Sequence, residues 1–126
     1  MKMKNSEIYS TARVLNNFNF DREQRIPAKV SFYLTKNIKA FVNSAMELEQ
    51  ARIDIIKNYG SINEEEEIRV DEDKVELAQK ELDDLFSTEQ EIECRKIPLS
   101  WFNDIDLTVE EIDMISFMIE DDILGE

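Results

Sequence analysis

Carboxylates are the abundant reactive groups of this 126-residue chain: twenty-nine Asp and Glu stand against fifteen Lys and Arg, one cysteine and no histidine. Without histidine there is no Ser-His-Asp or Cys-His relay and no imidazole metal ligand. Glu72-Asp73-Lys74 matches the E-x-K half of a metal-dependent nuclease motif, with Asp54 or Asp71 available as the remaining acid. That chemistry needs its groups on adjacent strands around two metal ions, whereas Lys74 is expected to open a helix. Asp104-x-Asp106-x-Thr108 has the alternation of a calcium loop but lacks the glycine at position six and the bidentate glutamate at position twelve. Asp106 and Thr108 fit helix-start chemistry better. Paired carboxylates could also serve glycoside hydrolysis, but a helical chain of this length offers little room for a sugar cleft. No catalytic residue and no metal ligand is assigned, and no cofactor is expected.

The remaining chemistry is sparse. Gly60 and Gly125, the two glycines, cannot form a phosphate-binding loop or a dinucleotide fingerprint. A single cysteine, Cys94, excludes an intramolecular disulfide framework and a multi-cysteine zinc site. A reactive thiol wants positive surroundings, and on a strand only Lys96 would share its face, so Cys94 reads as a small core residue.

Charge is partitioned along the chain. Residues 1–60 carry ten basic and six acidic side chains, a net of +4, and residues 61–126 carry five and twenty-three, a net of −18. The acids Glu64, Glu65, Glu66, Glu67, Asp71, Glu72, Asp73, Asp83, Asp84, Asp121 and Asp122 are therefore the candidate partner-binding residues, suited to a basic surface. A solvated face is the plainer explanation of the same run. Direct nucleic-acid binding is not expected, because it requires a basic footprint. The strip Lys29, Lys36, Lys39 and Lys57 could hold a small anion, although a solvated face accounts for it equally well.

The elements that would position these groups are mostly helical. Ile8, Ala12 and Leu15 fall at i, i+4 and i+7, predicting a helix over about 6–18 with Ser6 as its N-cap. Residues 19–26 read as a connection. Pro27 suits the first turn of a helix that runs to about Tyr59. Leu34, Ile38, Phe41, Ala45, Leu48, Arg52, Ile55 and Tyr59 are spaced alternately by four and three, the seam of a coiled coil or long helical hairpin. Lys29, Lys36, Asn43, Gln50 and Lys57 mark the opposite, polar side. Such a helix, about 48 Å long, needs a partner: the rest of the chain, or a second copy through Leu34, Phe41, Leu48 and Ile55. Arg52 is the irregular member, expected to snorkel or to pair with an acid from the C-terminal half.

Beyond Gly60, which could close the long helix at C′, Glu64 to Glu67 suit a solvated loop. Asp73 with Glu76 resembles a capping box for a third helix over about 73–86 with Val75, Ala78, Leu82 and Leu85 inward. Residues 67–70 and 91–97 are expected to pair as a two-stranded ribbon. Leu99, Trp101 and Phe102 form the densest apolar cluster, with Trp101 expected as a core anchor rather than an interface residue. Thr108 and Glu111 make a capping box, and Leu107 and Ile112 a hydrophobic staple, for a helix over 109 to about 120 that buries Ile112, Ile115, Met118 and Ile119.

The expected fold is mainly α: a long helical hairpin over 1–60, then an acidic half over 61–126 with two shorter helices and a minor ribbon, both within one domain. No run approaches the length of a membrane span, and the start lacks a secretory signal. With one unpaired cysteine, these features point to a protein of a reducing compartment, the cytoplasm.

The opening MKMKNSEIYSTARVLNN and the closing EIECRKIPLSWFNDIDLTVEEIDMISFMIED resemble small uncharacterised proteins encoded by tailed phages and prophages of Gram-positive bacteria. The resemblance covers roughly the first 17 residues, the helix after Pro27 and the last 36 residues. Its most specific part is Lys96-Ile97-Pro98-Leu99-Ser100 followed by Leu107-Thr108. These are fold positions and carry no catalytic role across. The resemblance implies a phage protein working in a bacterial host's cytoplasm. Small acidic phage proteins are often inhibitors of host machinery, including CRISPR effectors and other defence enzymes, and some mimic nucleic acid; others are assembly factors. The expected function is a non-enzymatic inhibitor that occludes a basic host protein sterically and electrostatically. The alternative is a structural or assembly module, a homo-oligomer held through the 34–59 seam.

Overall fold

The helical spacing of Ile8, Ala12 and Leu15 sets the first helix. In the computed structural model, which describes residues 1–18, 26–65 and 67–121, α1 spans Asn5–Leu15 and buries all three. It follows directly on a short strand, β1 (Lys2–Lys4). The helix therefore starts before Ser6: the Lys4 backbone N–H donates to Glu7 Oε1 at 3.1 Å, satisfying one of the orphan groups of the first turn. The expected connection lies outside the described residues up to residue 25.

Pro27 stands at the N-cap of α2 (Ala28–Asn58), one position before the first-turn site expected for it. At 31 residues α2 is about 46 Å long, and it finds its partner within the chain. Leu34, Phe41 and Leu48 are buried and join Ile8 and Leu15 of α1 in one core. Lys29, Lys36, Asn43, Gln50 and Lys57 are all exposed on the other side. Asn37, 1% exposed, interrupts the apolar stripe. Its Nδ2 donates to the Arg95 carbonyl (2.8 Å) and its Oδ1 accepts from the Arg95 backbone N–H (2.9 Å). One carboxamide thus takes the place of a neighbouring strand for this stretch of extended backbone.

That bond explains one departure from expectation. Residues 92–96 form no strand, because Asn37 already satisfies Arg95; Ile92 is nevertheless buried and Cys94 half-buried. Residues 67–70 do not pair with 91–97 either. Instead β2 (Gly60–Ile62) and β3 (Ile68–Val70) form an antiparallel hairpin in the register Gly60↔Val70, Ser61↔Arg69, Ile62↔Ile68. The loop is short, so closing it loses little chain entropy. Asn63 organises it: its Oδ1 accepts from the Glu65 and Glu67 backbone N–H groups, each at 2.9 Å. Gly60 is required by close approach, since a Cβ there would lie 1.9 Å from the Arg69 carbonyl oxygen. It starts a strand rather than merely ending a helix.

The chain then makes a 3-10 turn, Glu72–Lys74, and α3 over Val75–Ser87. The expected capping box at Asp73 and Glu76 does not form: Asp71 precedes the turn and Lys74 caps α3, neither through its side chain. Among the α3 side chains expected inward, Ala78 is buried and Leu82 and Leu85 are half-buried, while Val75 is 50% exposed. After α3, β4 (Glu89–Glu91) pairs antiparallel with β1, placing Lys2 opposite Glu91 and Lys4 opposite Glu89. Opposite charges directly across a ladder favour this register. Asn5, 4% exposed, ties the same corner together: Nδ2 donates to the Leu85 carbonyl (2.8 Å) and Oδ1 accepts from Gln90 Nε2 (2.6 Å).

A two-residue strand β5 (Ile97–Pro98) leads into a 3-10 turn, Leu99–Phe102. The Thr108–Glu111 capping box forms as expected, with reciprocal bonds of 3.1 and 3.0 Å, and opens α4 (Val109–Ile115). This helix ends before 120. Ser116–Met118 tighten into a 3-10 turn, and β6 (Ile119–Glu120) pairs in parallel with β5, Ile97 against Ile119. Ile115 and Met118 are fully buried, but Ile112 is 43% exposed and takes no part in a buried stripe. Phe102, Ile105, Ile115 and Met118 join the residues of α1 and α2 in a single apolar cluster. The architecture is mainly α, as the periodicities imply.

Candidate functional site

The candidate acids do not share one surface. Glu64, Glu65 and Glu67 are exposed on the β2–β3 loop, and Asp71, Glu72 and Asp73 on the turn that follows. The Asp71 backbone N–H donates to the Tyr59 carbonyl (2.9 Å), which anchors this group at the C-terminal end of α2. Among the described residues, Asp71 alone of these six has an ion-pair partner, Lys74 at 3.6 Å. Asp83 and Asp84 are exposed near the other end of α3, about 16 Å further along the chain's rise from Asp73. Asp121 follows β6, on the side of the molecule where Asn37 touches Met118. Positions 37 and 59 of α2 are about 33 Å apart, so Asp121 and the hairpin acids are near opposite ends of that helix. Glu66 and Asp122 lie outside the described residues.

The seam is likewise not a free surface. Leu34, Phe41 and Leu48 are 2%, 0% and 5% exposed within the core of one copy, and Ile55 is half-buried. Self-association through them would require that core to open. Arg52 pairs within its own helix and, among the described residues, not with the C-terminal half, donating through Nε and Nη2 to the Glu49 carboxylate. The Tyr9 hydroxyl donates to the same carboxylate at 2.6 Å. The Arg52 guanidinium and then the Tyr9 hydroxyl hold Glu49 down at about 2, and accepting that hydroxyl proton raises Tyr9. This cluster edges a groove between α1 and α2 lined also by Arg13, Asn16 and Met46.

Cys94 is kept protonated: burial pushes its thiol up, against a smaller downward pull from Lys96. Glu72 and Lys74 sit in a 3-10 turn instead of on adjacent strands, and Asp54 accepts a hydrogen bond from Gln50 on α2 (2.9 Å). Among the described residues, no group of three or more Cys, Asp and Glu side chains is placed to hold a metal ion. Among those residues, too, no helix is long and apolar enough to cross a membrane.

A second charged surface occupies the first turns of α2. Lys29 Nζ lies 4.6 Å from the Trp101 ring centre, Lys36 Nζ 5.8 Å from that of Phe32, and the Arg95 guanidinium 6.0 Å from that of Tyr33. These are cation–π distances. Tyr33 links the aromatics, 5.6 Å from both Phe32 and Trp101. Phe32 is 61% exposed and, with Lys36 and Lys39, lines a shallow depression. Trp101 is half-buried, so it anchors the core and also backs this face. Phe32, Tyr33 and Arg95 are absent from the residues singled out by sequence. Phe32 carried a usable signal, being a large aromatic off the apolar seam, whereas Arg95 joins the face only through the Asn37 clamp.

No family model, no curated protein and no solved structure matches the chain.

Proposed function

We propose that this chain is a non-enzymatic protein-binding protein, phage-like in character, that occludes a basic surface of a bacterial host protein such as a defence or nucleic-acid enzyme, acting in the host cytoplasm. The observation that carries the reading is the group Glu64, Glu65, Glu67, Asp71, Glu72 and Asp73, exposed at one end of α2 with a single ion pair to any described residue. Carboxylates left without cationic partners repel one another in the free protein, and a basic partner relieves that repulsion. A groove built to receive phosphate senses the spacing of negative charge, so clustered carboxylates can occupy it.

The test is capture from a bacterial host lysate on immobilised protein, with identification of what is retained. A basic host protein released at high salt is expected, and its retention should be lost when Glu64, Glu65, Glu72 and Asp73 are all changed to Lys. Retention unchanged by those four substitutions would overturn the mechanism.

A further inference from the structure

The basic–aromatic face is unusual for this composition. Among the described residues, Lys29, Lys36, Lys39 and Arg95 have no ion-pair partner, in a chain with almost twice as many acids as bases. Three of the four are steadied over aromatic rings of this same chain, so their positions are set before any partner arrives. The exposed Phe32 among them adds apolar area, which ion pairing alone would not need. The acids of the hairpin and the following turn are the complement: Glu64, Glu65, Glu67, Glu72 and Asp73 have no ion-pair partner among the described residues, and Asn63 orders the loop that carries the first three. The two groups flank a continuous 31-residue helix, at a separation on the order of 30 Å or more. A helix cannot fold back on itself, so the two surfaces can satisfy each other only between molecules.

We propose that the face formed by Lys29, Phe32, Lys36, Lys39, Arg95 and Trp101 docks the acidic β2–β3 hairpin and following turn of a second copy of this chain. Such a contact joins two different patches. It therefore propagates head to tail, closing into a ring or extending as a filament according to the rotation between copies. It leaves the buried seam of α2 intact and does not depend on any host partner. It also has a salt signature. The net charge of −14 on each copy repels at range when the Debye length is about 30 Å, near 0.01 M salt, and is largely screened at about 10 Å, near 0.1 M. Contact pairs persist at 0.1 M but weaken near 1 M, where the length is about 3 Å. Assembly is therefore strongest at intermediate salt.

Sedimentation velocity on the purified protein, across concentration and salt, tests this directly. The expected result is a mass that grows with concentration and is largest near 0.1 M salt. Lys36→Glu with Arg95→Glu should leave only monomer, as should Glu64→Lys with Glu65→Lys and Glu72→Lys. Mixed in equal amounts, the two variants should form a 1:1 complex that grows no further, because each keeps one intact surface. If Arg95→Glu alters the circular dichroism spectrum, Lys29→Glu with Lys39→Glu serves as the basic-face variant. A wild-type protein that stays monomeric throughout, or a mixture that forms no complex, overturns the proposal. So does a monomer whose basic face instead binds a labelled single-stranded oligonucleotide or a polyglutamate peptide.

Discussion

At the C-terminal end of α2 the exposed acids Glu64, Glu65, Glu67, Asp71, Glu72 and Asp73 come from one run of ten residues, whereas at its N-terminal end Lys29, Phe32, Lys36 and Lys39 meet Arg95 and Trp101 from more than 50 residues away. The first surface is written into consecutive residues and needs only a short hairpin to present it. The second exists because a buried amide, Asn37, holds an irregular segment against the helix. Contiguous charge survives local changes of structure; charge assembled from distant segments lasts only as long as the core that assembles it. The two regions should consequently respond differently to mutation, and the one tryptophan, Trp101, reports on the second of them.

The largest effect is expected where the regions share a core. Leu48→Asp places a carboxylate at a position 5% exposed; losing the leucine alone is worth about 2–5 kcal/mol, and burying the charge adds to it. Urea unfolding should show Trp101 fluorescence and helical dichroism lost together at a much lower midpoint. Retention of a folded monomer produced from a larger assembly would instead make the seam an intermolecular surface. Next, Gly60→Ala should separate the regions. Its Cβ meets backbone at 1.9 Å, a clash that cannot be relieved by a rotamer change and is expected to be worth about 1–3 kcal/mol. Amide protection should fall across 60–70 while Trp101 fluorescence of the native state stays unchanged.

The converse variant, Asn37→Ala, removes both bonds to Arg95 and should destabilise by about 1–3 kcal/mol. Here the native Trp101 emission should shift and hairpin protection should persist; a shift in neither would mean that the clamp does not support the basic face. The smallest effect belongs to Glu49. Its carboxyl is held at about 2 in the folded chain against an ordinary value of 4.5. It therefore contributes stability above pH 4.5 that is lost as the pH falls towards 2. With Glu49 and Arg52 side chains 36% and 38% exposed, solvent screening keeps the contribution small. Glu49→Gln should flatten stability between pH 4.5 and 2 slightly, measured by thermal unfolding, and leave it unchanged near pH 7 apart from a uniform offset.

Much of the fold was legible because its signals are local. The seam of α2 follows from a spacing of three and four, and the Thr108–Glu111 box from hydrogen bonds spanning three residues. The hairpin acids were legible as a charge run, and they are exposed at one end of α2. Strand partners were not legible. Ile68–Val70 pairs with Gly60–Ile62, and Glu89–Glu91 pairs with Lys2–Lys4, because ladder bonds are made by backbone groups that are alike in every residue. Nor did the sequence show that Asp121 lies apart from the other acids, or that Ser116–Met118 would tighten so that Ile119 could meet Ile97.

By itself the sequence determined that the four helices form, the apolar faces of α1 and α2, the acid excess and its place along the chain, since each depends on residue type at short spacing; it misplaced Val75 and Ile112, which are exposed. Only the tertiary structure decided which faces meet. It turned the α2 seam inward against α1, spread the acids over separate surfaces and built a basic–aromatic face in an acidic protein. The physical reason is one of range: helix periodicity and capping act within a turn or two, while burial, cation–π contact and the pairing of Asn37 with Arg95 act between segments that only a folded core brings together.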